Sequence, residues 1–211
     1  MTANRDTLTT AYPKTVKLKD HRSVVIRPLA QDDFDRLHAS FLALPEEDRI
    51  FLRHDVRDPE LVREWTRNLD FERCIPLMAL DGNEIVGNGR LYMMTHGWMQ
   101  HVGLIRLITA GTHRHAGLGA LILRELVALA EERNLEKLQA QVIEDSVAAI
   151  KLCQAVGFET AAILKDMVKD QTGRKRNLAI MVSDVANLSR IMEDWIHDSM
   201  QPAYRVPGAG C

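Results

Sequence analysis

The chain has 211 residues, which is enough for one domain with a substantial core and short for two. Its 27 basic and 29 acidic residues leave a net charge of -2, which argues against a protein held on nucleic acid by its electrostatic field alone. Apolar runs too short to cross a bilayer, an N-terminus without the apolar core of a signal peptide, and three scattered cysteines predict a cytoplasmic protein that does not bind membranes.

The first half of the chain opens with a polar segment, and residues 1–14 are expected to form a flexible tail. Apolar residues on both sides of Asp20 predict two short strands. From Asp32 the apolar spacing becomes helical, and this helix is expected to stop at Pro45. A second helix is predicted to begin at Asp58, an N-cap that is followed by proline. Its predicted buried stripe consists of Leu61, Trp65 and Leu69.

The middle of the chain predicts an antiparallel meander. Two strand-like segments, CIPLMAL and EIVGNGRLYMM, are separated by Asp81-Gly82-Asn83, which is a strong hairpin signal. A third strand-like segment, GLIRLITA, follows a turn at Gly97. Three consecutive strands joined by short turns favour neighbouring positions in one sheet.

Helices and strands alternate in the second half. GLGALILRELVALAEERN predicts a helix that is capped by Asn134, and LEKLQAQVI predicts a strand. The next helix is expected to start at Asp145 or Ser146 and to end at Gly157. Two last strands precede an amphipathic helix and tail over residues 186–211. The buried stripe of the first of these helices is predicted to be Leu118, Ile122, Leu126 and Leu129.

The stretch THRHAGLGALI joins a predicted strand to the long helix through two glycines. A helix start exposes unpaired N–H groups and the positive end of the helix dipole, so an entry turn without side chains lets an anion reach those donors. Gly117 and Gly119 would give that access, and Arg114 adds a guanidinium that can pair with a phosphate. The alternative is that Gly117 only caps the helix and that Gly119 packs against a strand.

Other ligand patterns fit this region poorly. The P-loop requires a lysine directly after its second glycine, and Gly117 is followed by leucine. The dinucleotide fingerprint would begin at Gly117 but finds Ile122 at its third glycine position. The nearby histidines lack metal-ligand spacing, so no metal site is predicted. His113 and His115, which flank Arg114, are expected to add to the attraction of an anion.

RHAGLG, residues 114–119, matches the R/Q-x-x-G-x-G/A signature of the GNAT N-acetyltransferase superfamily. The segment AAIKLCQAVGFE resembles the family's A-I-x-L-Y-x-x-x-G-F-E helix and strand, and VKDQTGRKRNLAIMV resembles the closing strands of one GNAT branch. The resemblance implies a single α/β domain over residues 15–185. Its central sheet would be mixed, mostly antiparallel and flanked by helices, with a C-terminal amphipathic helix after it.

The resemblance also implies acetyl-CoA as co-substrate. Unpaired backbone groups of the strand before the glycine turn would bind the pantetheine arm, and the turn would hold the pyrophosphate. Ser146 stands where relatives often carry an asparagine that reaches the cofactor. The implied cofactor-binding residues are Ile108, Thr109, Ala110, Arg114, His115, Ala116, Gly117, Leu118, Gly119, Ala120 and Ser146.

Acyl transfer to an amine needs a base for the amine, a donor for the oxyanion and an acid for the departing thiolate. The family's tyrosine acid corresponds here to Cys153, whose thiol could protonate a thiolate of similar basicity or could simply pack in the core. The strand before the turn lacks the glutamate that many relatives carry. Glu144 is the candidate base, with His101 and Asp145 as alternatives, and each of the three also suits a solvated surface.

The function that the resemblance implies is acetyl transfer from acetyl-CoA to a primary amine, by direct attack within a ternary complex. FLALPEEDRIFLR resembles the substrate-side helices of protein-lysine acetyltransferase domains, and a protein lysine and a small amine both stay open as acceptors. The alternative is a GNAT-fold module that senses acyl-CoA without turnover, which the missing tyrosine and strand carboxylate favour. The C-terminal helix packs on its own domain or on a second subunit, which leaves a homodimer open.

Overall fold

The computed structural model describes the backbone of residues 11–200 and the side chains of residues 11–193. Most of the tail predicted over residues 1–14 therefore lies outside the described residues, and Lys14 already begins the first strand. The part of the predicted C-terminal tail beyond Met200 lies outside them as well.

Within residues 11–200, eight strands form one sheet in the order β1-β2-β3-β4-β5-β6-β8-β7. Neighbouring strands are antiparallel except β5 and β6, which are parallel. The mixed, mostly antiparallel sheet predicted from the family resemblance is therefore confirmed. The strands are β1 (Lys14–Lys17), β2 (Ser23–Pro28), β3 (Cys74–Asp81), β4 (Glu84–Met93), β5 (Val102–Thr109), β6 (Lys137–Ile143), β7 (Glu159–Lys169) and β8 (Lys175–Asp184).

Six α-helices flank the sheet in the described part of the chain. They are α1 (Phe34–Leu42), α2 (Glu46–Arg49), α3 (Pro59–Arg67), α4 (Leu118–Glu132), α5 (Val147–Ala155) and α6 (Val185–Met200). The short helix α2 is not among the predicted elements. As predicted, Asp58 caps α3, and its Oδ1 accepts a hydrogen bond from the Glu60 N–H at 2.9 Å. No helix described here has both the length and the apolar character that a membrane span requires.

The two faces of the sheet bury separate cores. Helix α4 covers one face, and its predicted stripe is confirmed because Leu118, Ile122, Leu126 and Leu129 are all buried. Helices α1 and α3 cover the opposite face around a smaller core. The predicted stripe of α3 is only partly correct. Val62 and Thr66 are the fully buried residues of that helix, whereas Leu61, Trp65 and Leu69 are partly buried. Trp65 and Leu69 pack against the smaller core and also line a pocket.

Glycines on β4 let α4 approach the sheet closely. A Cβ at Gly89 would overlap with Cγ2 of Ile122, and Gly87 would be similarly crowded by the same side chain. Ile122 is β-branched and buried, so it has little freedom to move aside. These glycines therefore fix the distance between α4 and the strands that it covers.

We expect Gly89→Ala to lower the free energy of unfolding by about 1–3 kcal/mol, because the added methyl group overpacks the contact with α4. Gly111→Ala is the matched control, since a Cβ there meets no atom within 4 Å. Urea unfolding followed by circular dichroism measures both variants. A Gly89→Ala protein as stable as the parent would contradict the close packing.

Candidate active site

Strands β5 and β6 separate part-way along the sheet. Their parallel pairing ends at Ile105 and Ala140, whereas β5 continues to Thr109 and β6 continues to Ile143 along β8. We call the resulting gap, between residues 106–109 and residues 141–143, the splay. The splay leaves part of β5 paired on one side only, which the sequence could not show.

Alternation along β5 decides which backbone groups reach the splay. The Ala110 N–H donates to the Val86 carbonyl on β4 at 2.9 Å. Because bonded and non-bonded pairs alternate between antiparallel strands, Ile108 also directs its backbone groups toward β4. The backbone groups of Leu107 and Thr109 therefore face the splay. Of the three strand residues predicted to bind the cofactor, only Thr109 offers its backbone there, and Leu107 is added.

The glycine turn presents unpaired backbone donors at the start of α4. The first hydrogen bond of the helix runs from Leu121 N–H to the Gly117 carbonyl at 3.1 Å, which leaves the N–H groups of residues 118–120 without a backbone acceptor. His115 and Gly117 both adopt positive φ angles, of 63° and 84°. Such left-handed residues beside a helix start orient consecutive N–H groups toward one point, as in anion-binding nests.

The side chains of the turn mostly face away from this donor cluster. Ala116, Leu118 and Ala120 are buried, so only their backbone can meet a ligand. A Cβ at Gly119 would lie 3.2 Å from Leu152, which supports the packing alternative for that glycine. At Gly117 it would meet the stem of Lys19, at 3.4 Å.

The charged side chains of the turn have partners. Arg114 Nη2 lies 2.5 Å from Asp48 Oδ2 of helix α2, so the guanidinium ties the turn to that helix. His113 is buried beside Arg22 and Asp81, at 2.9 and 3.1 Å from its Nε2. The predicted contribution of His113 to anion attraction is therefore wrong, because its ring faces the interior.

Ser146 occupies the N-cap position of α5, as predicted, but its side chain makes no capping hydrogen bond. Within residues 11–193, the hydroxyl has no other hydrogen-bond partner. A hydroxyl free at the start of this helix is suited to bind a ligand that passes between α4 and α5.

The predicted bases lie away from the splay or are engaged elsewhere. Glu144 Oε2 accepts a hydrogen bond from Asn177 Nδ2 at 2.8 Å. Asp145 forms an ion pair with Arg176. His101 precedes β5, and the strand rise of about 3.3 Å per residue places it on the order of 13 Å from the point where β5 and β6 separate.

Cys153 packs among the apolar residues beneath α4, and 9% of its surface is exposed. Burial raises the pKa of its thiol to about 11. The thiol keeps its proton at neutral pH, as an acid must, yet it lies within the core. Its position favours the packing role over the acid role.

A pocket of about 320 Å³ opens on the sheet face that carries α1 and α3. Arg106, the first residue of β5 beyond its last pair with β6, is part of the wall. We call this cavity the arginine pocket. Its lining residues are Leu29, His54, Trp65, Asn68, Leu69, Asp70, Cys74, Pro76, Arg90, Tyr92 and Arg106.

Positive charge dominates the electrostatics of the arginine pocket. Burial and the nearby Arg53 and Arg90 lower the pKa of the Arg106 guanidinium, although it remains charged. Partial burial and the same arginines, with Arg106, lower the pKa of His54. His54 is therefore a neutral imidazole at pH 7 that can accept a proton.

Two connections hold the loop before α3 over this face of the sheet. Gln171, in the β7–β8 turn, donates its backbone N–H to the Ile50 carbonyl and its side-chain Nε2–H to the His54 carbonyl, both at 3.2 Å. Arg53 donates to Gln141 of β6, the first residue of that strand beyond its pairing with β5. The loop is thereby fixed beside the open part of the splay.

None of His54, Arg90 and Arg106 is among the predicted site residues. Two of them carry a sequence signal, because Arg90 and Arg106 are the basic residues within the mostly apolar strand segments EIVGNGRLYMM and GLIRLITA. A charged residue within a buried strand is uncommon unless it has a partner or a ligand. His54 carries no such signal, since its position depends on how the loop folds.

Comparisons with known proteins identify the family and the fold of the chain. The family model described as the acetyltransferase (GNAT) family matches residues 35–158. The chain belongs to the GNAT acetyltransferase family. This family membership makes the protein an acyltransferase. The glycine turn and the splay both lie within the matched residues.

Solved structures show the same fold. The GNAT domain of S. lividans PAT has a TM-score of 0.69 at 19% identity, covering 82% of this chain and 96% of that one. The RimJ protein of Mycobacterium smegmatis, solved in complex with CoA-disulfide, has a TM-score of 0.69 at 18% identity, with coverages of 89% and 94%. Ribosomal-protein-alanine N-acetyltransferase from Brucella melitensis has a TM-score of 0.65 at 24% identity, with coverages of 75% and 98%. A search of curated proteins gave no match.

We expect the His54 ring to titrate below the ordinary histidine pKa of about 6.5, because burial and neighbouring arginines disfavour its charged form. A lowered pKa means that the folded state loses stability relative to the unfolded state as pH falls from about 6.5 through the pKa of folded His54. NMR titration measures this pKa, with His54→Gln to assign the signal. Arg106→Gln should raise the His54 pKa, and a ring that titrates above 6.5 in the parent protein would contradict the assignment.

Proposed function

We propose that this GNAT acetyltransferase transfers an acetyl group from acetyl-CoA to a primary amine by direct attack within a ternary complex. The observation that carries the proposal is the splay, which ends at a helix start with unpaired N–H donors. An exposed strand edge that leads into an anion-binding turn suits a ligand with an amide-containing arm and a diphosphate.

The residues present fit coenzyme A. The backbone groups of Leu107 and Thr109 would pair with the amides of the pantetheine arm. The N–H groups of residues 115–120 would bind the pyrophosphate, with added charge from Arg114. On the α5 side, the hydroxyl of Ser146 would donate a hydrogen bond to the pantetheine arm or accept one from it. Among the residues described, no group of three or more metal-ligand side chains is placed to hold a metal ion.

Acetyl-CoA, when bound, supplies a thioester whose carbonyl carbon forms a C–N bond with the amine as the C–S bond breaks, while the amine loses a proton and the sulfur gains one. His54 is the side chain of the arginine pocket that we propose to accept the proton of the amine, directly or through water, because it is neutral at pH 7. The nearby arginines also lower the pKa of an amine in the pocket, which favours its nucleophilic form.

Both acceptor classes remain within this proposal. Similar structures include enzymes named for acetylating alanine in ribosomal proteins, which supports a protein amine. The volume of the arginine pocket, about 320 Å³, supports a small amine.

The three scattered cysteines support a cytoplasmic location, and the exposed Ile163 and Met167 on the edge strand β7 support a homodimer.

Isothermal titration calorimetry tests the cofactor site. We expect Arg114→Glu to weaken acetyl-CoA binding by at least about tenfold, because it replaces a phosphate-binding cation with an anion. Asp48→Asn is the matched control. It breaks the same ion pair but keeps the cation, so acetyl-CoA binding should stay equal or improve. Equal binding by the parent and Arg114→Glu would remove Arg114 from the site.

Release of free CoA with a panel of amines tests turnover and assigns the proton-transfer groups. We expect His54→Gln to lower kcat by about 100-fold with little change in acetyl-CoA affinity, as for loss of a general base. Cys153→Ala should keep turnover within about threefold, because the thiol packs in the core. Glu144→Gln is the third variant, because Glu144 is the base that the sequence predicts.

Each contrary result has a distinct meaning. A folded Cys153→Ala protein without turnover would assign the acid role to the thiol, and a loss confined to Glu144→Gln would assign the base to Glu144. Acetyl-CoA binding without CoA release across the panel would favour the sensor over the enzyme.

A further inference from the structure

Two arginines lie directly opposite each other inside the arginine pocket. Arg90 of β4 pairs with Arg106 of β5 in the register of the sheet, so both side chains project from the same face. Like charges at directly opposed positions of antiparallel strands destabilise the pair. This arrangement is costly unless something of opposite charge lies between the two guanidinium groups.

Among the described residues, aromatic rings support both guanidinium groups, but no carboxylate pairs with either of them. The guanidinium carbon of Arg90 lies 4.4 Å from the centre of the Trp65 ring, and that of Arg106 lies 4.8 Å from the centre of the Tyr92 ring. In the described part of the chain, neither arginine forms an ion pair, and Arg90 Nη2 is buried without a hydrogen-bond partner. A buried guanidinium N–H without an acceptor is energetically unfavourable, so an anion that accepts its hydrogen bond would stabilise the pocket.

The other groups around the pocket do not neutralise this charge. Of the described side chains, Asp70 is the one carboxylate that lines it, and its Oδ2 lies 3.6 Å from Arg73 Nε. Burial raises the pKa of the Cys74 thiol to about 11, so that group is uncharged at pH 7. Asn88, which precedes Arg90 by two residues on the same face of β4, does not line the pocket but is buried beside it with both side-chain polar atoms unpaired. The site therefore has positive charge and unused hydrogen-bonding capacity.

We propose that Arg90 and Arg106 bind an oxyanion of the acyl acceptor, so that the acceptor is a small primary amine that carries its own carboxylate or phosphate group. This inference rests on the proposed acetyltransferase function and specifies its substrate class. A purely cationic amine would be repelled by the pocket, whereas an amino acid or an aminoalkyl phosphate pairs its anion with the arginines and keeps its amine free. Since Arg106 directly follows the last β5–β6 pair, an amine a few bonds from that anion lies next to the splay.

Matched pairs of acceptors test the proposal. Amino acids are compared with their C-terminal amides, and aminoalkyl phosphates with the corresponding amino alcohols, by kcat/KM with saturating acetyl-CoA. We expect the oxyanion-bearing member of at least one pair to be preferred by about tenfold or more. A preference within the amino-acid pairs would identify the bound group as a carboxylate, and a preference within the aminoalkyl-phosphate pairs would identify it as a phosphate. A preference for the uncharged members throughout, or for an acidic peptide over every small amine, overturns the proposal.

Arginine variants test whether Arg90 and Arg106 cause the preference for oxyanion-bearing acceptors. Arg106→Gln and Arg90→Gln should lower kcat/KM for the preferred acceptor by about 10- to 100-fold and for its neutral partner by less than about threefold. Arg106→Lys should recover part of the loss, because it restores the charge without the planar fork. Arg63→Gln is the control. Arg63 also stacks on an aromatic ring, that of Phe34 at 3.9 Å, but it does not line the pocket.

A binding experiment separates this inference from the proposed function. Calorimetry with the preferred acceptor and CoA, or with the N-acetylated acceptor alone, does not depend on turnover. Binding that is lost in Arg106→Gln but kept in Arg63→Gln supports the arginine site even if no acetyl transfer occurs. If both arginine variants left acetyl transfer to the oxyanion-bearing acceptors as unaffected as transfer to the neutral ones, the enzyme would stay in place and the anion site would be removed.

Discussion

The separation of β5 from β6 is the structural constraint on which the rest of the site depends. A parallel pair within a mostly antiparallel sheet needs a crossover connection, and here that connection is helix α4. The crossover brings the start of α4 to the end of β5, where the two strands have already parted. One topological feature thus supplies an unpaired strand edge, a positive helix end and a passage between the two faces of the sheet.

Each face of the sheet then has a different task. The face under α4 and α5 carries the glycine turn, Ser146 and the larger core, which anchors α4 through Leu118 and Ile122. The opposite face carries the arginine pocket beneath α3 and its preceding loop. The hydrogen bonds from Gln171 and Arg53 keep that loop beside the splay. A cofactor on one side and an acceptor on the other would meet at the gap between the strands.

Local sequence signals predict most of the fold, and long-range contacts limit the prediction of the site. The cap at Asp58, the stripe on α4 and the glycine turn are properties of short segments, so spacing and turn chemistry suffice for them. The pairing of Arg90 with Arg106 depends on strand register, and the ion pair of Arg114 with Asp48 depends on the fold of α2. Predicting which backbone groups face the splay also requires the strand register, since a shift by one residue turns the other set of residues toward it.

The arginines also change the proton chemistry that this strand face can perform. A carboxylate near the acceptor can take up a proton, whereas a guanidinium stays protonated and can only shift the pKa of its neighbours. The same field that lowers the pKa of His54 would lower the pKa of an amine beside it, so the base becomes weaker while the proton to be removed becomes more acidic. An acceptor anion between Arg90 and Arg106 would partly cancel that field. Occupancy of the anion site would then raise the basicity of His54 at the moment when an amine is present, which couples acceptor binding to proton removal within one pocket.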